Sequence, residues 1–287
     1  MSTCIRKSVY TGKIQGVVLD WAGTAIDYGC MGPVSVFIEA FNRFGISVSA
    51  AETRQFMGLM KKDHIRGMCG LPSVKARWID KYGWEPGEND VAELYAEAEP
   101  LMVAQITSHA EPIPGLLEFI YELRNNGIRI GSTTGYTRPM MAAMLPVAQK
   151  QGYAPDAVVC SSDVPAGRPH PYMCYQNAIA LQVYPLEAMV KIGDTVSDIQ
   201  EGLNAGMWTV GVTQSGNCLG LTPDQIERLD KVELARRLQA IENTMREAGA
   251  HYVADGIWSC LPIIRDIDKR LAHGETPAGC FNRHSEN

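Results

Sequence analysis

The sequence has no excess of positive charge and no long apolar run. Its 26 lysine and arginine residues are outnumbered by 32 aspartate and glutamate residues, so the formal net charge is −6. A chain of this charge offers no basic field to nucleic acid or to an anionic membrane surface. No apolar stretch approaches the roughly 20 residues that a membrane-spanning helix needs. We therefore expect neither nucleic acid nor a membrane among its partners.

Closely spaced cysteines are also missing. The eight cysteines are scattered singly, with no CxxC pair, which argues against both a disulfide framework and a zinc site. The first residues carry charge but no apolar stretch of the kind that a secretion signal has. These features predict reduced thiols in a cytoplasmic protein.

What the sequence does contain is an alternation of strand-like and helix-like segments. Its 287 residues, 46% of them hydrophobic, are enough for one large domain or two modest ones. Strands that alternate with helices favour an α/β fold with a mainly parallel, Rossmann-like sheet. Short apolar runs recur at 14–19, 128–131, 157–160, 189–193 and 208–212, with a weaker one at 251–254. Helical periodicity occupies 114–126, 137–150, 170–182 and 195–205.

One long segment interrupts this alternation. The only patterns between the first two strands are helical, at 33–44, 52–68, 73–82 and 90–107. An insertion of this length exceeds an ordinary loop, so we expect a helical cap domain inserted after the first strand. The expected domains are a Rossmann-like core, formed by 1–27 and 108–272, and a cap, formed by 28–107. The polar segment 273–287 is expected to lack order.

The first strand ends in a carboxylate. Asp20 follows a buried-strand pattern and precedes a Gly-Thr turn that ends at Thr24, so it points out of the sheet edge at which α/β folds place their chemistry. The segment resembles the first motif of the haloacid dehalogenase superfamily, whose phosphatases usually carry a second aspartate two residues later. In this chain that position is Ala22. Alanine cannot transfer a proton, so the chemistry either needs no such acid or has been lost.

Two further segments offer groups that bind phosphate. Thr134 and Gly135 lie in a hydroxyl-rich turn after the second strand, where N–H and O–H groups can hold phosphate oxygens. Arg168 lies in a later loop and offers a counter-charge. Taken singly, the first two are ordinary turn residues, and an isolated arginine is more often a solvated surface charge.

Two carboxylates follow the fourth predicted strand. Asp194 and Asp198, together with Asp20, form a set of hard oxygen ligands suited to Mg²⁺. On its own, the pair could simply cap a helix. Because all these groups lie in chain order at the carboxyl ends of successive predicted strands, their combination favours phosphoryl chemistry.

The predicted cap contributes an unusual helical face. In a helix over 52–68, Met57, Lys61 and His64 would share one face, whereas Lys62 would point about 100° away. A surface helix with two solvated lysines is the ordinary interpretation of this pattern. Beside the Asp20 motif, the shared face instead becomes a candidate lid over the reaction site.

Taken together, these motifs resemble one family closely. The segments DWAGT (20–24), DYGC (27–30), MGLMKKDH (57–64), GSTTGYTR (131–138), DVPAGRP (163–169) and GDTVSD (193–198) are similar to those of the phosphonatases, the haloacid dehalogenase superfamily members that hydrolyse phosphonoacetaldehyde. The resemblance covers about residues 10–270. It implies a hydrolase that breaks a carbon–phosphorus bond during 2-aminoethylphosphonate breakdown, and a homodimer joined through its cap domains.

The resemblance also implies roles for individual residues. Lys61 would form a Schiff base with the aldehyde, Asp20 would attack phosphorus, and His64 would transfer protons. Substrate and phosphate contacts are implied for Cys30, Met57, Thr134, Gly135, Tyr136 and Arg168. Ligands to Mg²⁺ are implied for Asp20, Asp194 and the backbone carbonyl of Ala22, with Asp198 supporting the metal through its waters.

The chemistry of the bond explains why Ala22 is tolerated. Direct displacement at phosphorus would expel a carbanion, whereas an iminium on lysine accepts the electrons as an enamine. The leaving atom is then carbon, and no acid is needed to protonate a leaving oxygen. Lys61 must be neutral to attack, so we expect its pKa to lie below the usual value of about 10.4.

Two other functions remain open from the sequence. A capped phosphatase or sugar-phosphate mutase would share most of these motifs, although Ala22 argues against both. A non-catalytic phosphate-binding relative would need neither the nucleophile Asp20 nor the amine of Lys61.

Overall fold

The computed structural model describes residues 9–278. Its centre is a six-stranded sheet in the order β3-β2-β1-β4-β5-β6, with every neighbouring pair parallel. The strands are β1 (Gly16–Leu19), β2 (Arg129–Thr134), β3 (Ala157–Cys160), β4 (Met189–Gly193), β5 (Trp208–Val212) and β6 (Tyr252–Ala254). Each corresponds to a strand expected from the sequence, so the predicted α/β class and parallel sheet are confirmed.

The cap is helical and lies between β1 and β2 in the chain. It comprises α1 (Met31–Arg43), α2 (Ala50–Arg54), α3 (Lys61–Gly70), α4 (Pro72–Tyr82) and α5 (Glu88–Gln105), followed by a 3₁₀ turn over Ile106–His109. Phe37, Trp78 and Leu94 are fully buried between these helices, which gives the insertion an apolar interior of its own. The helical cap after the first strand is therefore confirmed, while its borders at 27/28 and 107/108 stay a prediction.

The remaining helices follow the cap in the chain. They are α6 (Leu116–Asn125), α7 (Arg138–Lys150), α8 (Tyr172–Ala180), α9 (Val196–Ala205), α10 (Pro223–Arg228), α11 (Lys231–Glu247) and α12 (Cys260–Ala272). The sequence pattern does not predict α10, α11 or α12. α11 buries only Ile241 and Met245, so its apolar stripe is thin. None of the helices within residues 9–278 combines the length and the apolarity that crossing a bilayer requires.

The expected single helix over 52–68 is wrong. α2 ends at Arg54, and α3 begins at Lys61. Between them Gly58 has φ +90, a left-handed conformation that interrupts a right-handed helix. Met57 therefore does not share a helix with Lys61. Within α3 the expected separation of the two lysines holds, since Lys61 is buried and Lys62 exposed.

The segment expected to lack order is described only up to 278. Within that part Arg270 pairs with Glu275 at 3.0 Å, and a ring nitrogen of His251 lies 2.9 Å from the carbonyl oxygen of Pro277. These contacts join 273–278 to the preceding part of the chain, and the expected lack of order in 273–287 stays a prediction. Residues 279–287 lie outside the described part of the chain.

The sheet order determines where the chemistry can lie. Asp20 directly follows β1, Asp194 directly follows β4, and Thr134 is the last residue of β2. β1 lies between β2 and β4, and the carboxyl ends of parallel strands meet at one edge of a sheet. The three side chains therefore emerge next to each other, where ligands bind in open α/β sheets.

Candidate active site

A small cavity lies between the cap and this edge of the sheet. Its volume is about 20 Å³, roughly enough for a single water molecule, so a substrate can enter only when the cap opens. The lining brings together ten residues expected from the sequence: Asp20, Ala22, Cys30, Met57, Lys61, Thr134, Gly135, Tyr136, Arg168 and Asp194. Pro33, Gly58 and Thr195 complete the lining.

Two of the expected residues lie outside this lining. Asp198 is fully buried and lies close to Asp20 and Asp194, with carboxylate oxygens of the three within 4.8 Å of one another. His64 is fully buried in the cap, where its ring stacks on Phe37 at 3.9 Å. Burial lowers the pKa of His64 well below its usual value, so the imidazole is neutral.

Arg168 is buried, not a surface charge. Its Nη2 donates to Asp20 Oδ1 at 2.7 Å, and its Nε donates to Glu201 Oε2 at 2.9 Å. Nη2 also lies 3.1 Å from Asp198 Oδ1 and donates to the hydroxyl and carbonyl oxygens of Thr133. These bonds fix the guanidinium beneath the cavity, and they hold the Asp20 carboxylate in one orientation.

Lys191 and Glu201 belong to the same network, although no sequence motif pointed to them. Lys191 lies in β4 and is fully buried; its Nζ is 2.8 Å from Asp198 Oδ1 and 3.3 Å from Glu201 Oε2. One feature of the sequence could have revealed this network: Lys191 is a lysine inside an otherwise apolar strand. A lysine is almost never fully buried unless it is paired with an acidic group. Glu201 lies one helical turn beyond Asp198 in α9, so both carboxylates face the sheet.

The charges in this cluster do not balance. Asp20, Asp194, Asp198 and Glu201 contribute four negative charges, and Arg168 and Lys191 contribute two positive charges. The formal sum is −2, which a divalent cation would neutralise. The described residues therefore fit a divalent metal bound by oxygen ligands.

The imbalance is concentrated at Asp194. Within residues 9–278, no lysine, arginine or histidine nitrogen lies within ion-pair distance of its carboxylate, which instead accepts from Thr24 Oγ1 at 3.2 Å and from the Asn217 N–H at 2.7 Å. Burial, with repulsion from Asp20 and Asp198, raises the pKa of Asp194 well above its usual value. For Asp198 burial acts in the same direction, but Arg168 and Lys191 outweigh it and lower the pKa. Asp194 is therefore the carboxylate that most needs a cation.

The turn after Asp20 leaves no space for a side chain at Gly23. This residue has φ +88, and a Cβ there would lie 2.3 Å from Asp194 Oδ2. Glycine thus allows the backbone of the 20–24 turn to approach Asp194 closely.

Lys61 carries its amine into the cavity from the cap side. The side chain is 4% exposed, and its Nζ lies 4.7 Å from the centre of the Tyr136 ring. Burial lowers the pKa of Lys61 to about 8, the direction expected from the sequence. Burial also raises the pKa of Cys30 well above its usual value, so this neighbouring thiol stays protonated.

The loop before α3 packs the cap against the core. A Cβ at Gly58 would lie 2.4 Å from Ser197 Oγ and 2.6 Å from Thr195 Oγ1, and a Cβ at Gly135 would lie 2.5 Å from the carbonyl oxygen of Leu59. Glycine at both positions lets the two backbones approach closely. The cap is thus closed, with Lys61 facing the carboxylate cluster.

Comparisons with known proteins agree with this geometry. A family model described as haloacid dehalogenase-like hydrolase matches residues 14–206. A phosphonoacetaldehyde hydrolase of Syntrophobacter fumaroxidans is 57% identical over 96% of this chain and 100% of its own length. The chain belongs to the phosphonoacetaldehyde hydrolase family. It is accordingly a hydrolase of the haloacid dehalogenase-like class.

Two further members of the family extend the comparison. The crystal structure of a phosphonoacetaldehyde hydrolase-like protein from Oleispira antarctica superposes with a TM-score of 0.92 at 39% identity, covering 94% of this chain and 98% of that one. A bifunctional phosphonoacetaldehyde hydrolase/aminoethylphosphonate transaminase of Clostridioides difficile is 51% identical over 87% of this chain. The match covers 39% of that longer protein. Members of the phosphonoacetaldehyde hydrolase family thus share this cap and core.

The charge imbalance at Asp194 predicts the behaviour of Asp194→Asn. Because the folded protein disfavours the Asp194 charge, the metal-free variant should be at least as stable as the metal-free parent. Mg²⁺ at about 100 times its Kd should stabilise the parent by about 2.7 kcal/mol and the variant by much less. Thermal unfolding with and without Mg²⁺ measures both effects.

The matched control is Asp224→Asn, which removes an exposed carboxylate in α10. This variant should respond to Mg²⁺ as the parent does. Equal stabilisation of Asp194→Asn and the parent by Mg²⁺ would contradict the placement of the metal at Asp194.

Proposed function

We propose that this protein hydrolyses the carbon–phosphorus bond of phosphonoacetaldehyde to acetaldehyde and phosphate. The observation that carries the proposal is the buried amine of Lys61 in the same closed cavity as Asp20, with Ala22 where a phosphatase has its acid. A Schiff-base-forming amine and a nucleophilic carboxylate can then act on opposite ends of one small substrate.

Imine formation is the first step. The neutral amine of Lys61 attacks the aldehyde carbon, and uptake of one proton with loss of water gives a protonated imine. The pKa of about 8 that burial gives Lys61 leaves roughly a tenth of the amine neutral at pH 7. We assign proton transfer during this step to His64, which lies about one turn beyond Lys61 in the same cap helix.

Cleavage of the carbon–phosphorus bond follows. An oxygen of Asp20 attacks phosphorus, and the electron pair of the breaking bond moves into the iminium to give an enamine. Protonation of the enamine carbon and hydrolysis of the imine release acetaldehyde and regenerate Lys61. Water then hydrolyses the phosphoaspartate, which releases phosphate and restores Asp20.

The residues that would hold Mg²⁺ are Asp20, Asp194 and the backbone carbonyl of Ala22, with Asp198 supporting the metal through its waters. A metal bound there supplies positive charge against the phosphonate oxygens and lines them up for attack. The formal charge of −2 in the surrounding cluster supports this assignment.

The phosphonate and carbon ends of the substrate have different surroundings. Thr134, Gly135 and Arg168 would bind the phosphonate oxygens at the end of β2. Cys30, Met57 and Tyr136 would surround the carbon end near Lys61. All six line the cavity.

A place in 2-aminoethylphosphonate breakdown follows from the chemistry of the substrate. Transfer of the amino group from that compound yields the aldehyde, and the Clostridioides difficile relative is named for both activities.

The scattered, unpaired cysteines, such as Cys69 and Cys174, support a cytoplasmic location.

A homodimer through the cap domains is also part of the proposal. Ile79 and Trp84 leave apolar surface exposed on the cap, at 40% and 57%, which supports an interface there. Sedimentation velocity would show a monomer at micromolar concentration if this assignment is wrong.

The direct test is a product assay with purified protein, Mg²⁺ and phosphonoacetaldehyde. We expect acetaldehyde and phosphate in equal amounts, and loss of both in excess chelator. A capped phosphatase would instead release phosphate from phosphate esters. A mutase would rearrange such esters. A non-catalytic relative would bind phosphate without turnover.

Activity should depend on pH through Lys61. Because only the neutral amine attacks, kcat/KM should rise about tenfold per pH unit below 8 and level off above it. Initial rates between pH 6 and 9.5 test this. A profile that is flat across pH 7 to 9 would show that Lys61 deprotonation does not limit the reaction.

Two adjacent lysines should differ sharply. Lys61→Arg should lower kcat by more than about a thousandfold, because a guanidinium stays protonated and cannot form the imine. Lys62→Arg is the matched control and should keep kcat within about twofold, since Lys62 is exposed. Steady-state kinetics of the two variants check this; activity that survives in Lys61→Arg would rule out the Schiff base at that residue.

A further inference from the structure

Arg54, at the end of α2, crosses from the cap to the core. Its Nη1 donates to the carbonyl oxygen of Gly29 at 2.8 Å and to Asn217 Oδ1 at 3.0 Å. Its Nη2 donates to the carbonyl oxygen of Gly220 at 3.3 Å. One side chain therefore joins the cap, the segment entering α1, and the core loop 215–221 that follows β5.

Asn217 is hydrogen-bonded both to Arg54 and to Asp194. Its side-chain Nδ2 donates back to the carbonyl oxygen of Arg54 at 3.0 Å, so the two residues are bonded in both directions. Its backbone N–H donates to Asp194 Oδ2 at 2.7 Å. Two residues thus connect the cap to the carboxylate that lacks a cationic partner.

The backbone around the guanidinium is shaped to receive it. Gly220 has φ +62, and a Cβ there would lie 2.6 Å from Arg54 Cζ. Gly29 has φ +80, and its N–H donates to the carbonyl oxygen of Ser215 at 2.8 Å. The close approach of Arg54 to loop 215–221 therefore depends on a position without a side chain.

The partners of Arg54 are uncharged. No carboxylate within residues 9–278 lies within ion-pair distance of its guanidinium; its acceptors are carbonyl groups, the side-chain amide of Asn217 and the sulfur of Met31. A planar cation with several fixed N–H donors binds such a set in one geometry only. Opening of the cap must break these bonds or displace loop 215–221.

We propose that Arg54 is a positioning residue that couples closure of the cap to the orientation of Asp194. Closure brings Arg54 onto loop 215–221, and the loop then presents the N–H of Asn217 to Asp194 Oδ2. By reciprocity, a metal bound at Asp194 favours the closed cap. The proposal rests on the metal role of Asp194 in the proposed function.

A purely structural role predicts a different pattern. Arg66 provides the contrast, because it is an arginine of the same cap whose partners, Asp63 and Glu88, also belong to the cap. Loss of Arg66 can change the stability of the cap without affecting Asp194. Loss of Arg54 should change metal binding as well.

The test measures Mg²⁺ binding by calorimetry on substrate-free protein. Arg54→Met and Asn217→Ala should each raise the Kd for Mg²⁺ about tenfold. The double variant should have the same Kd for Mg²⁺ as either single variant, because both substitutions break the same connection between Arg54 and Asn217. Arg54→Lys should recover part of the affinity, and Arg66→Met should bind as the parent does.

Hydrogen exchange provides the second readout. Mg²⁺ should slow exchange of amides in 215–221 in the parent and in Arg66→Met, but not in Arg54→Met. Parent-like affinity and exchange in Arg54→Met, or additive effects in the double variant, would overturn the coupling. A parent that binds no Mg²⁺ would overturn the metal role of Asp194 itself, which is a distinct outcome.

Discussion

The rest of the site depends on the ion pair between Arg168 and Asp20, buried under the cap at 2.7 Å. Burial disfavours the charged form of the Asp20 carboxylate and raises its pKa. Arg168 opposes this effect and fixes the direction of this carboxylate. The guanidinium itself stays in place because Glu201 holds its other side. The result is a charged cluster that remains two negative charges in excess, the condition for a divalent cation.

The cap contributes what the core cannot. Strand ends supply carboxylates, hydroxyls and N–H groups, but an uncharged amine near pH 8 requires a dry environment. Lys61 has such an environment in the closed cap, where the loop at Gly58 packs against Thr195 and Gly135. In our proposal, closure brings a neutral amine to the phosphonate substrate, and the acid missing at Ala22 is then unnecessary.

The sequence predicts the fold and most of the cavity because both depend on local patterns. Apolar runs locate the strands, and strand ends locate Asp20, Thr134 and Asp194. Tertiary contacts explain the wrong prediction of one helix over 52–68 and the residues that the sequence analysis missed. The break at Gly58 arises from packing against Thr195 and Ser197, so periodicity alone extends one helix over 52–68. Glu201 and Arg54 act on partners far away in the chain, and no local pattern marks them.

The central claim is that Lys61 binds the carbon end of the substrate covalently. Borohydride reduction of the parent protein during turnover would trap the imine, and peptide mass mapping would locate it. The account predicts a two-carbon fragment on Lys61, with inactivation in proportion to labelling and no label on Lys62. Labelling of another lysine, or full activity after stoichiometric reduction, would contradict it.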